Sequence, residues 1–318
     1  MKKTAYAIDP AFKKMPSVTI ANKRWLLRFL STLISSTRLF YRCSDAVITT
    51  THTVRGSDNN SVEIIEITPK TLQDKSKAPA IVYYHGGGFF FSYGRLHLKQ
   101  VETYAEQLQA RVFFVRYRLS TEQCFPGPLT DCVSALDWVY DNAEDLKVDR
   151  DRIAVMGDSA GGCLAASVTQ HVADDNQQRQ KPNIIRAQFL IYPALDSDCK
   201  TVSAQTFDDT PVWNATNNKI MWQVYLGEGK NPLHPPAYAS PAHRESLTGL
   251  PAAYIESAEF DPLRDEAHNY ADALEAAGVE VQRELVKGAV HGYDSVDCEV
   301  TQVAKAKRLA CMKAMLCD

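Results

Sequence analysis

Three segments that lie far apart in the 318-residue chain carry side chains that could together attack a carbonyl carbon. Ser159 lies in "GDSAG", Asp261 in "AEFDPLRDE" and His291 in "VKGAVHGY". A serine hydroxyl becomes an effective nucleophile when an imidazole takes its proton, and a carboxylate can orient that imidazole and stabilise its positive charge. These residue types, in the chain order serine, acid, histidine, predict an acyl-transfer reaction.

The serine has the local context that a nucleophile on a sharp turn requires. The apolar pattern "RIAVM" predicts a strand directly before it, and "AGGCLAASVTQHVAD" predicts a helix directly after it. Gly157 and Gly161 leave room for a tight strand-to-helix turn, from which the hydroxyl of Ser159 would project above the sheet. The pentapeptide alone leaves an alternative open, in which Ser159 only caps the helix on a glycine-rich turn.

The run "HGGG" at residues 85–88 follows the predicted strand "AIVYY". Attack on an ester turns the carbonyl oxygen into an oxyanion, and backbone N–H groups can approach it closely only where side chains are absent. We expect the N–H groups of Gly87, Gly88 and Ala160 to converge on that oxygen, and His85 to hold the loop by a local hydrogen bond. A glycine hinge or a phosphate loop is the alternative, but neither GxxxxGK[ST] nor GxGxxG is present.

His291 differs from the other histidines because glycines flank it and because it follows the last predicted strand. The acid should lie between the serine and this histidine, just after a strand, where the sequence offers Glu259, Asp261 and Asp265. Asp261 precedes a proline, which disfavours helix at Asp261 itself and holds it in a turn. Asp265 and Glu266 suit the first turn of the next helix. We therefore expect Asp261 to orient His291, with Glu259 as the alternative.

The elements that must position these residues alternate along the chain. From about residue 46 onward, eight short apolar strand patterns are interleaved with helical patterns, among them the strongly amphipathic "LTDCVSALDWVYDNAEDL" at 129–146. This alternation predicts one α/β domain over residues 1–318, with a mostly parallel central sheet of about eight strands flanked by helices. Two segments do not fit, about 1–45 and about 196–247, and we expect them to form a helical cap together.

Composition restricts the class of protein and of partner. The net charge of −3 and the lack of a dominant basic region argue against nucleic acid, and the eight cysteines show no CxxC or metal-ligand spacing. The N-terminal residues lack the apolar core of a signal peptide, and "WLLRFLSTLI" is too short to span a bilayer. We expect a cytoplasmic monomer or homodimer with reduced thiols, no metal or other cofactor, and no stable membrane insertion.

Four motifs, "HGGGF", "GDSAGG", "DPLRDE" and "HGY", occur in this order. With them the chain resembles the α/β-hydrolase superfamily and, within it, the hormone-sensitive-lipase-like carboxylesterases, from about residue 60 onward. The resemblance implies the α/β-hydrolase fold, a small-molecule ester substrate of short to medium chain length, and no cofactor. It also implies roles for six residues: catalytic Ser159, Asp261 and His291, and oxyanion donors Gly87, Gly88 and Ala160.

The chain departs from the family pattern in two places. "YRLSTEQCFP" has Thr121 where proline is usual, which predicts a local change of loop. Extra aromatic residues follow the glycines, and they either narrow the pocket in favour of small acyl groups such as acetyl or pack beneath the cap; they are Phe89, Phe90, Phe91 and Tyr93. Three other activities stay open: a small-molecule binding protein on the hydrolase fold, an amidase, and a lipase with "WLLRFLSTLI" as its lid.

Overall fold

The chain folds around a central sheet of eight strands. The computed structural model describes residues 6–73, 77–179 and 183–317. The strands are β1 (Val47–Arg55), β2 (Ser61–Pro69), β3 (Ala78–Tyr84), β4 (Arg111–Arg116), β5 (Val148–Asp158), β6 (Ala187–Ile191), β7 (Ala252–Phe260) and β8 (Val281–Val290). Their order is β1-β2-β4-β3-β5-β6-β7-β8, antiparallel at β1–β2 and β2–β4 and parallel at every other pair. The predicted fold class is confirmed.

Helices cover both faces of this sheet, so strands β3 and β6 are buried at every residue. Helical residues such as Leu136 and Leu164 pack on one face, and helical residues such as Val101 and Met312 pack on the other. The helices are α1 (Arg24–Ser36), α2 (Arg95–Leu108), α3 (Gly127–Asp141), α4 (Ala160–Arg179), α5 (Val202–Thr206), α6 (Ala215–Leu226), α7 (Arg264–Ala276) and α8 (Glu299–Cys317).

The carboxyl ends of four parallel strands bring the predicted site residues to one edge of the sheet. The glycine run follows β3, Ser159 follows β5, Asp261 follows β7 and His291 follows β8, each within a few residues of the strand end. Loops at the carboxyl ends of parallel strands are where open α/β sheets bind their ligands. The topology therefore gathers residues that are up to about two hundred positions apart in the chain.

The two segments that interrupt the alternation contact each other. The N–H of Val212 donates to the carbonyl oxygen of Pro16 at 2.8 Å, and the side-chain amide of Asn217 donates to that of Val18 at 2.8 Å. Residues 1–5 of the first segment lie outside the described residues. Among the described helices, none combines the length and the apolar character needed to cross a bilayer.

Candidate active site

Ser159 occupies a strained turn between β5 and α4. Its φ of +55° lies in the left-handed region that side chains other than glycine rarely adopt. A Cβ atom at Gly157 would overlap the carbonyl oxygen of Gly161, and one at Gly161 would overlap that of Tyr84. The N–H of Ser159 donates to the carbonyl oxygen of Ile191 at 2.9 Å, which anchors the turn to the neighbouring strand. Such strain at a serine between a strand and a helix is typical of a nucleophile elbow.

The three predicted residues form one hydrogen-bonded relay. The Nε2 atom of His291 lies 2.8 Å from the hydroxyl oxygen of Ser159, and its Nδ1 atom lies 2.7 Å from Oδ2 of Asp261. The N–H of Leu263 donates to the other oxygen of Asp261 at 2.9 Å, which fixes the carboxylate. Because a carboxylate only accepts, Nδ1 carries the imidazole proton and Nε2 is left to accept one from Ser159.

The other acids considered from the sequence have different partners. Glu259 accepts from the N–H of Gly288 at 2.7 Å and lies 3.4 Å from the ammonium group of Lys287. Asp265 lies in the first turn of α7 and accepts from the N–H of Ser203 at 2.7 Å. The structure therefore brings Asp261, and neither Glu259 nor Asp265, to His291.

The glycine run presents backbone to the same place. Gly87 and Gly88 have φ values of +117° and +60°, and both line the cleft that contains Ser159. A Cβ atom at Gly87 would lie 2.6 Å from the carbonyl oxygen of Phe91, and one at Gly88 would lie 2.9 Å from the indole ring of Trp213. Within the described part of the chain, the N–H groups of these two glycines donate to no other group. They are available to an incoming oxyanion.

Ala160 and His85 have the surroundings expected from the sequence. Ala160 is the first residue of α4, so its N–H lacks an intrahelical partner and lies at the positive end of the helix dipole. The Nδ1 atom of His85 donates to the carbonyl oxygen of Gly86 at 2.7 Å, and its ring stacks on Tyr117. Burial lowers the pKa of His85 to about 3, so its imidazole stays neutral and holds the loop.

Sequence reasoning missed the role of Asp158 as a connection between the serine turn and the glycine run. Its Oδ1 atom accepts from the N–H of Gly86 at 3.1 Å and from the hydroxyl of Tyr83, and its Oδ2 atom lies 3.8 Å from Nε2 of His97. Burial and this carboxylate raise the pKa of Tyr83 well above its ordinary value, so the phenol remains a donor. The signal available in the sequence was the position of Asp158 directly before Ser159.

A cleft of about 700 Å³ opens over Ser159 and His291. The N-terminal segment contributes Leu30 and Ile34 to its wall, and the second irregular segment contributes Trp213, whose ring centroid lies 5.9 Å from that of His291. Trp213 could not be recognised as a wall residue from its pattern, because it lies in an irregular stretch without periodicity. A polar end of the cleft includes side chains from α2, from the loop after His291 and from α8, namely Gln100, Asp294 and Lys305.

The aromatic residues after the glycines divide between the two roles considered. Phe91 lines the cleft, whereas Phe89, Phe90 and Tyr93 are buried. Phe89 stacks on Tyr225 of α6 with a centroid distance of 3.8 Å. Three of the four rings thus pack beneath the segments that cover the site, and one contacts the cleft.

One cluster of side chains has the composition of a metal site. Asp196, Asp198 and His243 place their ligand atoms within 4.8 Å of one another. Nε2 of His243 lies 3.1 Å from Asp196 and 3.4 Å from Asp198, and Lys200 pairs with Asp198 at 2.9 Å. The imidazole and the ammonium group already occupy these carboxylates, so we assign no metal to them.

A serine–histidine–aspartate relay at the carboxyl edge of such a sheet is typical of hydrolases with the α/β-hydrolase fold. The chain belongs to the α/β-hydrolase family, in its hormone-sensitive-lipase-like branch, because a family model described as alpha/beta hydrolase fold matches residues 81–295. It is a carboxylesterase, as the resemblance of the four motifs implied.

Named relatives agree with this assignment. Esterase LipI of Mycobacterium tuberculosis (strain H37Rv) is 37% identical over 226 residues, which cover 71% of this chain and 68% of that protein. Carboxylesterase NlhH of the same strain is 35% identical over 252 residues, covering 78% and 76%. Among solved structures, a bacterial heroin esterase is 34% identical, covers 98% of this chain and 99% of its own, and superimposes with a TM-score of 0.87.

Proposed function

We propose that Ser159, His291 and Asp261 hydrolyse carboxylic esters of short to medium chain length through an acyl-enzyme intermediate. The observation that carries the proposal is the pair of hydrogen bonds of 2.8 Å and 2.7 Å that connects hydroxyl, imidazole and carboxylate. Both bonds have the lengths that proton transfer between such groups requires.

The reaction follows from these contacts in two halves. The hydroxyl oxygen of Ser159 bonds to the ester carbonyl carbon while Nε2 of His291 takes its proton. The tetrahedral intermediate breaks its bond to the alcohol oxygen, and His291 returns the proton to the departing alcohol. A water molecule then attacks the acyl-serine and gives its proton to His291, which returns it to Ser159 as the carboxylic acid leaves. Asp261 stabilises the imidazolium in both halves.

The N–H groups of Gly87, Gly88 and Ala160 would stabilise the oxyanion of each tetrahedral intermediate. The φ values of the two glycines and their place in the cleft support this role, as does the position of Ala160 at the start of α4. Donors that are already oriented towards developing charge need no rearrangement during the reaction. The loss of one such donor costs about 3 to 4 kcal/mol of transition-state stabilisation in a serine protease.

The acyl group would be small to medium in size, acetyl included. In support, the ring of Trp213 lies against Gly88 and close to His291, where the acyl chain must pass. We further propose that the segments about 1–45, in its described part from residue 6, and about 196–247 form one cap, because both contribute apolar wall residues to the cleft and because they hydrogen-bond to each other.

A cytoplasmic location fits the state of the cysteines. The seven cysteines whose side chains are described are all unpaired, as expected in a reducing compartment. The side chain of Cys317 lies outside the described residues. The mechanism uses only water and side chains of this chain, so we propose no cofactor. Monomer and homodimer both remain compatible with it.

Replacement of the nucleophile tests the proposal. Ser159→Ala should fold normally and lose turnover of p-nitrophenyl acetate and butyrate by several orders of magnitude, because the members of a triad act as a unit. A fluorophosphonate probe should add its mass to Ser159 in the wild-type enzyme only. Full activity of a clean Ser159→Ala preparation would exclude this nucleophile, and absence of turnover in the wild type would favour the binding-protein alternative.

A further inference from the structure

Large exposed apolar side chains are concentrated on α1 and on the turn that follows it. Trp25, Phe29 and Leu33 are 68%, 56% and 50% exposed, and their spacing of four residues puts them on one side of the helix. Leu39 and Phe40 in the next turn are 83% and 80% exposed. These five residues form what we call the apolar face. Single exposed apolar residues are ordinary, but a continuous stripe of them marks an interaction surface.

The apolar face is not the side by which α1 packs on the protein. Leu27 is buried in the core, and Leu30 and Ile34 line the cleft. The guanidinium group of Arg28 donates to the carbonyl oxygen of Thr121 at 2.7 Å, which fixes the helix to the loop where the sequence departs from the family pattern. The opposite side of α1 therefore packs on the protein, and the apolar face points to solvent.

The part of the chain that carries this face is rich in positive charge. Between Asp9 and Asp45 the chain has seven basic residues and no acidic one, although the whole chain has a net charge of −3. None of the seven appears among the ion pairs of the described residues. They are Lys13, Lys14, Lys23, Arg24, Arg28, Arg38 and Arg42.

We propose that the apolar face docks reversibly on an anionic lipid surface. Exposed Trp, Phe and Leu flanked by uncompensated Lys and Arg have the chemistry of helices that lie in the interface of anionic membranes. A second copy of this chain is the other candidate occupant. A two-fold contact would bring the face against itself and place two sets of seven positive charges together, which charge repulsion opposes.

Docking in this way has a consequence for the catalytic cleft. Val18 and Leu96 are exposed and also line the cleft, and α1 supplies both the apolar face and part of the cleft wall. A docked molecule therefore holds one wall of the cleft beside the lipid surface. Apolar esters dissolved in that surface then reach Ser159 with a short path through water.

Vesicle co-sedimentation tests the proposal with the full-length enzyme. Vesicles of phosphatidylcholine alone are compared with vesicles that contain about one third phosphatidylglycerol. We expect the wild type to bind the anionic vesicles at least tenfold more strongly, with a blue shift of Trp25 emission, and to be released near 1 M salt, where the Debye length falls to about 3 Å.

Matched variants test whether vesicle binding depends on the apolar face or on exposed apolar side chains in general. The triple variant Trp25→Ser, Phe29→Ser, Leu33→Ser should bind anionic vesicles at least about tenfold more weakly, since each of the three loses apolar burial. The control variant Val202→Ser, Leu233→Ser, Val303→Ser also removes three exposed apolar side chains, which are 72%, 43% and 51% exposed, and should bind as the wild type does. Hydrolysis of a soluble ester reports whether each variant is folded.

The outcomes are distinguishable. Equal binding to neutral and anionic vesicles, or unchanged binding of the triple serine variant, would overturn the proposal. A wild-type dimer in sedimentation velocity that the triple serine variant dissociates would assign the face to a second copy instead. Turnover of a soluble ester is measured separately from vesicle binding. Absence of vesicle binding with full turnover would therefore contradict the docking proposal alone, and absence of turnover with normal vesicle binding would contradict the catalytic proposal alone.

Discussion

At the scale of single residues, the acid that orients His291 is defined by one contact. Asp261 lies 2.7 Å from Nδ1 of His291 and is fully buried, whereas Glu259 accepts a hydrogen bond from the N–H of Gly288. Asp261→Asn keeps the size of the side chain but offers an amide that favours the wrong imidazole tautomer. We expect kcat to fall by about 10³- to 10⁴-fold, as in the serine proteases, with KM little changed.

Glu259→Gln is the matched control for this prediction. Both changes convert an acid to its amide near the carboxyl end of β7, but Glu259 lies within the strand and touches neither His291 nor the cleft. Steady-state kinetics on p-nitrophenyl butyrate should give a kcat close to that of the wild type for Glu259→Gln. A larger loss for Glu259→Gln than for Asp261→Asn would assign the orienting role to Glu259.

At the scale of elements, the segment that carries Trp213 forms one wall of the cleft, beside Gly88 and His291. Its indole ring lies against Gly88, so Trp213→Ala would open the cleft beside the proposed oxyanion donors. We expect the ratio of kcat/KM for p-nitrophenyl decanoate to that for the acetate to rise by about tenfold or more, because one pocket methylene is worth about 1 to 3 kcal/mol.

A control variant and the pattern of activity across esters show whether the effect of Trp213→Ala concerns the acyl chain. Trp222→Phe removes an indole from the same cap segment, but this ring is fully buried and does not line the cleft, so the chain-length ratio should stay unchanged. A uniform loss of activity on all esters in Trp213→Ala would instead indicate that the indole supports the catalytic residues rather than the acyl pocket.

The elements themselves were largely predictable from the sequence. Strand "SVEIIEITP" and the last helix from Glu299 begin where their patterns begin. The helix expected over 129–146 instead ends at Asp141, because the backbone of Asn142 leaves the helical range, with φ −97° and ψ 17°, although its N–H still donates to the carbonyl oxygen of Trp138 at 3.0 Å. The position of β4 between β2 and β3 was not predictable, since periodicity carries no strand order.

The site was predictable where local chemistry constrains the backbone, and unpredictable where contacts are long-range. Glycines around Ser159 and in the "HGGG" run are needed for close approach of the backbone, and this need can be read from the sequence. The contacts of His97 with Asp158 and of Trp213 with Gly88 join segments through tertiary packing alone. Only the fold could bring them together.

At the scale of the whole molecule, α8 and α7 each carry a buried ionisable side chain, and the two side chains have different surroundings. Arg308 of α8 is fully buried and pairs with Glu256 of β7 and, at 3.2 Å, with Asp294 in the loop after His291. Burial alone would raise the pKa of Asp294, but the guanidinium group of Arg308 holds it below its ordinary value. This ionised network connects the loop after His291 to the core.

Glu266 of α7 is buried without such a cation. One of its oxygens accepts from the N–H of Leu195 at 2.7 Å, and the other has no partner among the described residues. Burial raises the pKa of Glu266 well above its ordinary value of 4.5. The carboxyl group therefore remains protonated in the folded state at pH values where the unfolded chain has already ionised.

The sign of the effect on stability follows from proton binding. Between the unfolded and the folded pKa of Glu266, the folded state binds more protons than the unfolded state, so the free energy of unfolding falls as pH rises. In the Glu266→Gln variant this side chain cannot ionise, so the corresponding fall in the free energy of unfolding with rising pH is absent. We expect the variant to gain stability relative to the wild type as pH increases from about 4 upward, until the folded carboxyl group itself ionises.

Urea unfolding at a series of pH values measures this difference directly. Subtraction of the wild-type free energy from that of Glu266→Gln cancels the contributions of groups common to both, including Asp294, and any constant effect of the amide. The difference should grow with pH, whereas for Glu228→Gln, an exposed position, it should stay constant. A difference for Glu266→Gln that is flat or that shrinks as pH rises would mean that Glu266 is ionised inside the folded protein, stabilised by a cation or solvent not accounted for by its contacts.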